Sequence, residues 1–294
     1  MSLNYKILKK RPKIFLRLTG VNIEQFNIIV EAVRIKYNKK ISSIRKANSG
    51  RKSNLKTLED KILCLLMYYR CYITYDFLGY LFNLHNSNIC RLFKLLEPIV
   101  AKAVHIQKDK SLTEEKVYDT LLIDATEQKI QRPSKNQKKY YSGKKKQHNL
   151  KTTIAIDENN KITYVSKTYK GSKHDLDIIK KEKSKIPKAK DIIVDKGYIG
   201  INKVLENTKN DKTEIKIPTK KNKNKELTKE EKEYNSNISK IRIKVEHKFA
   251  KLKSFAILSQ TYRSSNIKYY NMRFNNICGI TNIKNGFWDL NKIS

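Results

Sequence analysis

Three acidic residues in this chain have the types and the surroundings expected of metal ligands. Asp124 and Asp195 each follow a run of Leu, Ile and Val, in LLIDATE and IIVDKGY, and such runs are typical of buried strands. A buried strand rarely ends in a carboxylate that has no use, because an unpaired buried charge is costly. Glu246 lies in RIKVEHKFAKLK, which has helical character. Carboxylates from two strands and a helix can close around two Mg²⁺ or Mn²⁺ ions, which predicts two-metal phosphoryl-transfer chemistry.

Neighbouring residues leave alternatives open. Each aspartate taken alone is also compatible with a simple strand-end cap. Side chains alternate along a strand, so Glu127 points away from Asp124 and is the weaker candidate for a metal ligand. In GSKHD, Asp175 either caps the helix that follows or lines the site together with His174.

A helical spacing joins Glu246 to two basic residues. Arg242, Glu246 and Lys253 stand at positions i, i+4 and i+11, which share one face of an α-helix. On that face Arg242 is suited to hold a phosphate or to orient the glutamate, and Lys253 to contact a DNA backbone. The alternative is an exposed Arg–Glu pair one turn apart, which is common and contributes little stability.

The net charge indicates a polyanionic partner. With 64 Lys and Arg against 28 Asp and Glu, the formal charge is +36, which favours salt-dependent binding of nucleic acid. Part of this excess is compositional, because Lys, Asn and Ile are all abundant, as in proteins of AT-rich genomes. The longest apolar run, residues 62–69, is too short to span a bilayer, and no signal peptide is evident. We therefore expect a cytoplasmic protein with reduced cysteines and no membrane partner.

Helical patterns fill the first hundred residues. An amphipathic helix is predicted within residues 14–41, a basic linker at 42–56 and three short helices over 57–100. From residue 117 onward the pattern changes to strands. This division predicts three regions: an N-terminal helix and linker (1–56), a helical DNA-binding region (57–100) and a catalytic domain (117–285).

The three helices over 57–100 have the layout of a helix-turn-helix. A short helix, a tight turn and a further helix that begins with small polar residues are typical of this motif. The last helix is expected to begin at Asn86 or Ser87 and to stop at Pro98. Its outer face carries three residues suited to DNA: Asn88, Arg91 and Lys94. The alternative is a helical bundle that merely docks on the catalytic domain.

The strand-rich part predicts an α/β fold. Strands are expected at 118–126, 150–156, 162–168, 192–194 and 214–217, and helices at 175–182, 201–206 and 227–258. This order is that of a ribonuclease H-like core, a mixed five-stranded sheet flanked by helices. Its first and fourth strands lie side by side, so Asp124 and Asp195 should be neighbours, and a final helix should carry Glu246 over them.

A basic segment with tyrosines separates two of the strands. Residues 137–148 read QKKYYSGKKKQH. A flexible loop of this kind is suited to gripping a phosphate backbone through Lys144, Lys145 and Lys146, with Tyr140 or Tyr141 stacked on an unpaired base. The alternative is a loop that is simply solvated.

Several ordered motifs together resemble one protein family. DATEQKIQRP, QKKYYSGKKKQHNLK, GSKHD, VDKGYIG, the IP–TKK segment, LT-x-EEKEYN and R-x3-E-x6-K follow one another across residues 121–263. They resemble the DDE transposases of bacterial insertion sequences, specifically insertion sequence family five. The resemblance implies a catalytic triad of Asp124, Asp195 and Glu246 that binds magnesium, with Arg242 and Lys253 as companions on the helix.

The expected function follows from this resemblance. A transposase would cut and rejoin double-stranded DNA at the terminal inverted repeats of its own element and at target DNA. It would act in the bacterial cytoplasm at the nucleoid, as a homodimer when bound to DNA. The sequence leaves two alternatives open, a domesticated DDE-type endonuclease and a catalytically inactive DNA-binding regulator.

Overall fold

The computed structural model describes residues 3–44, 54–106, 117–205, 213–220 and 226–287. These residues pack as two units. The first contains the described parts of Met1–His105, Leu252–Gln260 and Met272–Ser294, and the second those of Ile106–Lys251 and Thr261–Asn271. Two C-terminal segments thus pack with the N-terminal helices, a division that differs from the predicted 117–285 domain. As functional domains, the predicted boundaries stay predictions.

Within the described residues, six helices precede the first strand. They are α1 (Tyr5–Leu8), α2 (Pro12–Thr19), α3 (Ile23–Ile44), α4 (Leu58–Cys71), α5 (Tyr75–Phe82) and α6 (Asn86–Ala103). The amphipathic helix predicted within 14–41 is α3, which continues to Ile44. Residues 14–19 belong to the separate helix α2, which ends at Gly20 with a φ of +78°, the left-handed conformation that glycine adopts readily. Most of the predicted linker, residues 45–53, lies outside the described residues.

The helix-turn-helix region forms three helices as predicted, but α6 differs at both ends. Its N-cap is His85, whose Nδ1 accepts the N–H of Ser87 at 3.3 Å, rather than Asn86 or Ser87. It also continues through Pro98 to Ala103. A proline inside a helix costs about 3 kcal/mol. Beyond it Ile99 and Val100 are buried, and burial of two aliphatic side chains, about 1.5–3 kcal/mol each, offsets that cost.

The second unit is built on a mixed sheet. Its strands are β1 (Tyr118–Lys129), β2 (Tyr141–Ser142), β3 (Gln147–Asp157), β4 (Ile162–Val165), β5 (Tyr169–Lys170), β6 (Ala189–Ile193) and β7 (Glu214–Lys216). The five main strands lie in the order β4-β3-β1-β6-β7, with the two-residue strands β2 and β5 also paired to β3. β1 pairs antiparallel with β3 and parallel with β6, and β6 pairs parallel with β7. The predicted ribonuclease H-like sheet, with its first and fourth strands adjacent, is confirmed.

Four α-helices of the described residues accompany this sheet, and two of them complete its core. They are α7 (Gln137–Tyr140), α8 (Asp175–Glu182), α9 (Ile201–Leu205) and α10 (Lys229–Lys253). Alternate residues Leu121 and Ile123 of β1 are buried in one cluster with Ile179 of α8 and Ile201 of α9. The predicted capping box at the start of α10 is present, because the Thr228 N–H donates to Glu231 Oε2 (2.9 Å) and the Glu231 N–H to Thr228 Oγ1 (3.2 Å).

A last helix, α11 (Ile267–Lys284), has no counterpart among the sequence-based predictions. From its buried part, Arg273 donates through Nε to Glu97 Oε1 of α6 at 2.7 Å. Both side chains are nearly fully buried, at 7% and 1% exposure. Tyr69 also donates to Glu97, at 3.3 Å, and the Arg273 guanidinium lies 5.2 Å from the ring centre of Tyr68. A buried ion pair therefore ties the C-terminal helix to the helix-turn-helix.

The described helices and the cysteines bear on the sequence-based expectations of no membrane span and no disulfide. No helix among those described has both the length and the apolarity that a bilayer crossing requires. None of the four cysteines, all of which lie in the described residues, forms a disulfide bond, and Cys64 and Cys278 are buried. Burial raises the pKa of the Cys64 thiol, which keeps it protonated and unreactive.

The Glu97–Arg273 pair can be tested by a double-mutant cycle. Arg273→Met leaves Glu97 buried without its cation, so the free energy of unfolding should fall by about 3–5 kcal/mol. Glu97→Gln with Arg273→Met leaves no buried charge, so the double variant should be markedly more stable than Arg273→Met alone. Urea denaturation of the wild type, both single variants and the double variant measures the coupling. Strictly additive effects would show that the pair does not act as a unit.

Candidate active site and nucleic-acid interface

The parallel pairing of β1 with β6 brings two aspartates together. Leu122 pairs with Ile193, and the same register continued by two residues places Asp124 opposite Asp195. Asp124 Oδ1 accepts the N–H of Ala125 at 2.8 Å, and Asp195 Oδ1 accepts the N–H of Lys196 at 2.7 Å. These bonds to the following backbone N–H orient the two carboxylates. Asp124 lies within β1, two residues beyond its last pair with β6, and Asp195 lies two residues beyond the end of β6, so the two aspartates are neighbours, as the strand order predicted.

Arg242 of α10 contacts both of these aspartates. Its Nη2 lies 3.7 Å from Asp124 Oδ2, and its Nη1 lies 3.2 Å from Asp195 Oδ1. The Arg242 side chain is only 15% exposed. Among the described residues, no acceptor forms a hydrogen bond with its buried Nε. The two aspartates therefore share one positively charged group, and that group retains a free donor.

Glu246 stands one turn further along α10 and is exposed. Residues four apart lie on the same helical face, so it is next to Arg242. In the part of the chain that the structure describes, no three Asp, Glu, His or Cys side chains are gathered closely enough to hold a metal ion. Arg242 rather than Glu246 lies against the aspartates because a guanidinium neutralises them, whereas a third carboxylate would repel them. The predicted triad is thus on adjoining elements but is not closed.

Burial sets the protonation of Asp124. Loss of hydration raises the pKa of this carboxyl to about 6, against the opposing effects of the Ala125 N–H and the Arg242 charge. The nearby charges of Asp195 and Asp175 raise it further. A buried carboxyl beside further acidic groups is a setting that favours a bound cation. Oxygen donors of this kind suit Mg²⁺ or Mn²⁺, so the residues present fit the metal ions that the sequence predicts.

Asp175 and His174, for which a place in the site was one of two alternatives, have different surroundings. Asp175 is the first residue of α8, and its charge acts on Asp124 and on buried Tyr198. His174 precedes the helix as its N-cap residue, is exposed, and accepts the N–H of Asp177 through its backbone carbonyl at 3.1 Å. Of these two residues, Asp175 is therefore the one that acts on Asp124.

Two residues beside this site were not among the predicted site residues. Lys151 of β3 is 8% exposed, and its Nζ lies 3.0 Å from Asp175 Oδ1 and 3.5 Å from Glu127 Oε1. Tyr198 is fully buried, and burial together with the charges of Asp175 and Asp124 raises the pKa of its hydroxyl. A lysine inside the otherwise apolar or hydroxylic run LKTTIAI is the signal that would have found Lys151, because buried lysines are rare unless paired.

The basic segment 137–148 is a hairpin rather than a loop. Tyr141 of β2 pairs with His148 of β3, and the turn between the two strands exposes Lys144, Lys145 and Lys146. We call residues 137–148 the basic hairpin. Tyr141 is 45% exposed, and its ring lies 5.7 Å from that of His148. Tyr140 is engaged instead, with Lys170 Nζ 4.8 Å from its ring centre. Of the two tyrosines, Tyr141 is the more available to a base.

The predicted DNA-reading residues lie on the outer face of α6. Asn88, Arg91 and Lys94 are all exposed. Arg91 Nη1 donates to Asn88 Oδ1 at 3.0 Å, which orders the two side chains without burying them. Asn86 serves the turn instead, donating to Asp76 of α5 at 2.6 Å. Lys253, the last residue of α10, is exposed as well.

A mixed sheet with paired aspartates at its centre and a helix-turn-helix before it define a class of DNA-processing enzyme. The family model described as DDE superfamily endonuclease matches residues 123–282, and the model described as helix-turn-helix of DDE superfamily endonuclease matches residues 53–105. The chain belongs to the DDE superfamily of endonucleases.

A named relative narrows this class. The chain is 35% identical over 271 residues to a protein of Microchaete diplosiphon named as the probable transposase for insertion sequence element IS702, and the match covers 91% of this chain and 93% of the relative. No solved structure was found to match the chain. We conclude that the chain is a probable DDE-superfamily transposase with a helix-turn-helix.

Because the pKa of Asp124 is raised, we expect Asp124→Asn to increase the free energy of unfolding of the metal-free protein, by an amount that depends on pH. The wild type is penalised when Asp124 ionises, so its stability should decline as pH rises from about 4 towards about 6. The asparagine escapes this penalty, and at pH 7.5 it should gain at most about 3 kcal/mol, less what the lost contact with Arg242 contributes. Below pH 4 the gain should disappear. Urea denaturation with EDTA at several pH values measures it, and a gain independent of pH would contradict the assignment.

We expect the lysines of the basic hairpin to affect DNA binding through their position and not only through the net charge of the chain. Replacing Lys144, Lys145 and Lys146 with Gln should weaken DNA binding and flatten its salt dependence by about two to three units of slope. The matched control replaces three exposed lysines elsewhere in the same unit: Lys180, Lys181 and Lys183. Filter binding across a salt series compares the two triple variants. Equal losses would mean that the hairpin charges are only part of the overall field.

Proposed function

We propose that this chain is a transposase of insertion sequence family five that cleaves and rejoins DNA at the ends of its own element. Membership of the DDE superfamily and the name of the relative from Microchaete diplosiphon support this. The ordered motifs from DATEQKIQRP to R-x3-E-x6-K support the narrower family assignment. We place its action in the bacterial cytoplasm, on nucleoid DNA.

The observation that carries the proposal is the shared contact of Asp124 and Asp195 with Arg242. Two carboxylates from separate strands that both reach one guanidinium also suit a shared inorganic cation. Glu246 follows Arg242 by one turn of α10 and is exposed, so it needs no disruption of the core to join them. We propose Asp124, Asp195 and Glu246 as the ligands of two Mg²⁺ or Mn²⁺ ions.

When bound, such ions activate a water or 3′-hydroxyl nucleophile and stabilise the leaving 3′-oxygen. Arg242 and the acidic residues of the chain prepare this site. Arg242 neutralises the aspartates in the metal-free protein, and its unpaired Nε is a donor suited to a phosphate oxygen. Asp124 must be ionised to coordinate a metal ion, so its raised pKa makes metal binding weaker below about pH 6.

Separate surfaces are proposed to hold the DNA. Asn88 and Arg91 are suited to the edges of adenine and guanine in the terminal inverted repeats, and Lys94 to a phosphate. In the other unit, the basic hairpin would hold the strand to be cut or the target DNA through its three lysines, with Tyr141 stacked on an unpaired base. The free energy of about 1 kcal/mol or more that a left-handed lysine costs at Lys146, φ +50°, is consistent with a use for its charge. Lys253 is a further candidate backbone contact.

We propose a homodimer on DNA. An insertion sequence has two ends, and one chain carries one set of the three carboxylates. Two copies would therefore give each end its own helix-turn-helix and its own catalytic carboxylates.

The carboxylates are tested by cleavage of DNA that carries the element's ends. Asp124→Ala, Asp195→Ala and Glu246→Ala should each reduce Mg²⁺-dependent nicking below detection, because the site loses a charged ligand. Binding to the same DNA should persist within about threefold, since affinity comes mainly from phosphate contacts. Nicking on gels and binding by anisotropy are measured in parallel. Near-normal nicking by Glu246→Ala would remove it from the triad.

A matched variant gives the opposite pattern. Arg91→Ala keeps all three carboxylates, so nicking at saturating DNA should persist while preference for the element's ends falls by about 1–3 kcal/mol. Wild-type nicking without joining would support a DDE-type endonuclease instead. Binding with no metal-dependent cleavage at all would support an inactive regulator.

A further inference from the structure

A buried lysine lies beside the candidate metal site without belonging to it. Lys151 Nζ donates to the carbonyl of Lys173 at 3.0 Å and forms ion pairs with Asp175 at 3.0 Å and Glu127 at 3.5 Å. The contact with the Lys173 carbonyl is a hydrogen bond, and the two carboxylates act on the ammonium group as ion-pair partners. Because an unpaired buried charge is expensive, the three contacts explain how a lysine that is 8% exposed is tolerated.

The lysine is anchored on the two central strands. Lys151 of β3 pairs with Glu127 of β1 in the sheet register. Glu127 Oε2 in turn accepts Asn149 Nδ2 at 2.6 Å. Cross-strand neighbours in a sheet have little freedom to move apart, so the ammonium group has a fixed position relative to the strand that carries Asp124.

Asp175 connects Lys151 to the turn after Asp195. A Cβ placed on Gly197 would lie 3.2 Å from Asp175 Oδ2, so the carboxylate rests directly against that turn. Tyr198, the next residue, is fully buried, with Asp175, Asp124 and Asp195 all close enough to act on its hydroxyl. The contacts run from β3 through Lys151 and Asp175 to the turn that follows Asp195.

Lys151 also contacts the segment that supports the basic hairpin. Lys173, whose carbonyl Lys151 binds, lies in GSKHD. In that segment Ser172 Oγ donates to the Lys139 carbonyl at 2.7 Å, and the Gly171 N–H donates to the Asn149 carbonyl at 2.8 Å. A Cβ on Gly171 would come within 2.6 Å of the Tyr140 carbonyl, so this close approach requires glycine.

We propose that Lys151 and Asp175 are positioning residues that fix the Asp195 carboxylate relative to Asp124 for the binding of divalent ions. The proposal rests on the proposed function and adds two residues to its site. Neither residue is a metal ligand. Their role is that of the partners behind metal ligands, which orient the ligating groups.

The test measures metal binding apart from catalysis. Asp175→Asn keeps the side-chain volume and loses the charge, and Lys151→Met loses the ammonium group. Both should weaken the binding of Mn²⁺ alone, measured by isothermal titration calorimetry, by about 10–100-fold. The Mg²⁺ concentration for half-maximal nicking should rise in parallel, with kcat reduced and the KM for DNA unchanged. Lys151→Arg, which keeps the charge, should restore part of the loss.

A matched ion pair on the same sheet is the control. Lys216 Nζ lies 2.8 Å from Asp191 Oδ2 and joins β7 to β6. Lys216→Met and Asp191→Asn should leave Mn²⁺ affinity unchanged. Thermal unfolding of every variant identifies losses that merely follow stability, and Asp175→Asn and Lys151→Arg keep the test valid where Lys151→Met fails to fold.

The outcomes separate the two proposals. If the wild type binds Mn²⁺ and nicks DNA while Asp175→Asn and Lys151→Met behave like the control variants, the positioning role is wrong and the proposed function stands. The same holds if Mn²⁺ affinity falls only in proportion to thermal stability. If the wild type neither binds Mn²⁺ nor nicks DNA, both proposals fail.

Discussion

The parallel pairing of β1 with β6 is the constraint on which the candidate site depends. These two strands are far apart in sequence, and their pairing alone brings Asp124 opposite Asp195. Parallel strands need a long crossover, and here β3, β4, β5 and α8 lie in the intervening chain. Elements that occupy this crossover also supply Lys151 and Asp175. The connection that the topology requires thus furnishes the residues that surround the carboxylates.

Gathering carboxylates at one edge of a sheet has an electrostatic cost, and the chain meets it with buried cations. Asp124, Asp195, Asp175 and Glu127 are balanced in part by Arg242 and Lys151. The balance is incomplete, and the raised pKa of Asp124 reflects this together with its burial. A site that retains excess negative charge within a chain of formal charge +36 is a local exception to the overall field. That contrast suits a protein that attracts a polyanion broadly and binds divalent cations at one place.

Buried charged and polar groups also hold the helical unit together. Its helix-turn-helix is short, and much of α4 is buried on all sides. The C-terminal helix α11 adds Arg273 and Asn276, which bond to Glu97 and Tyr69 in its interior. The outer face of α6 carries three exposed residues that are not part of this packing: Asn88, Arg91 and Lys94. The residues that pack inside this unit and the exposed residues predicted to contact DNA are therefore different residues of one helix.

Local pattern determined much of this architecture. Hydrophobic periodicity and capping residues predicted the three helices over 57–100 and the order of strands and helices from residue 118. They also predicted the start of α10. Each of these features depends on residues that are close in sequence. The ribonuclease H-like order then placed Asp124 beside Asp195. The continuation of α6 past Pro98 did not follow, since the burial that offsets a helical proline comes from tertiary contacts.

Only the tertiary structure decided the details that depend on distant residues. It put Arg242, rather than Glu246, against the two aspartates, and it turned the predicted basic loop into a paired hairpin. It assigned residues of α11 to the N-terminal helices through Arg273 and Glu97, a contact between residues 176 positions apart. It also revealed Lys151, whose partners come from β1, the GSKHD segment and α8. The sequence specifies which groups have the right chemistry, but which of them meet depends on burial and charge balance summed over the folded chain.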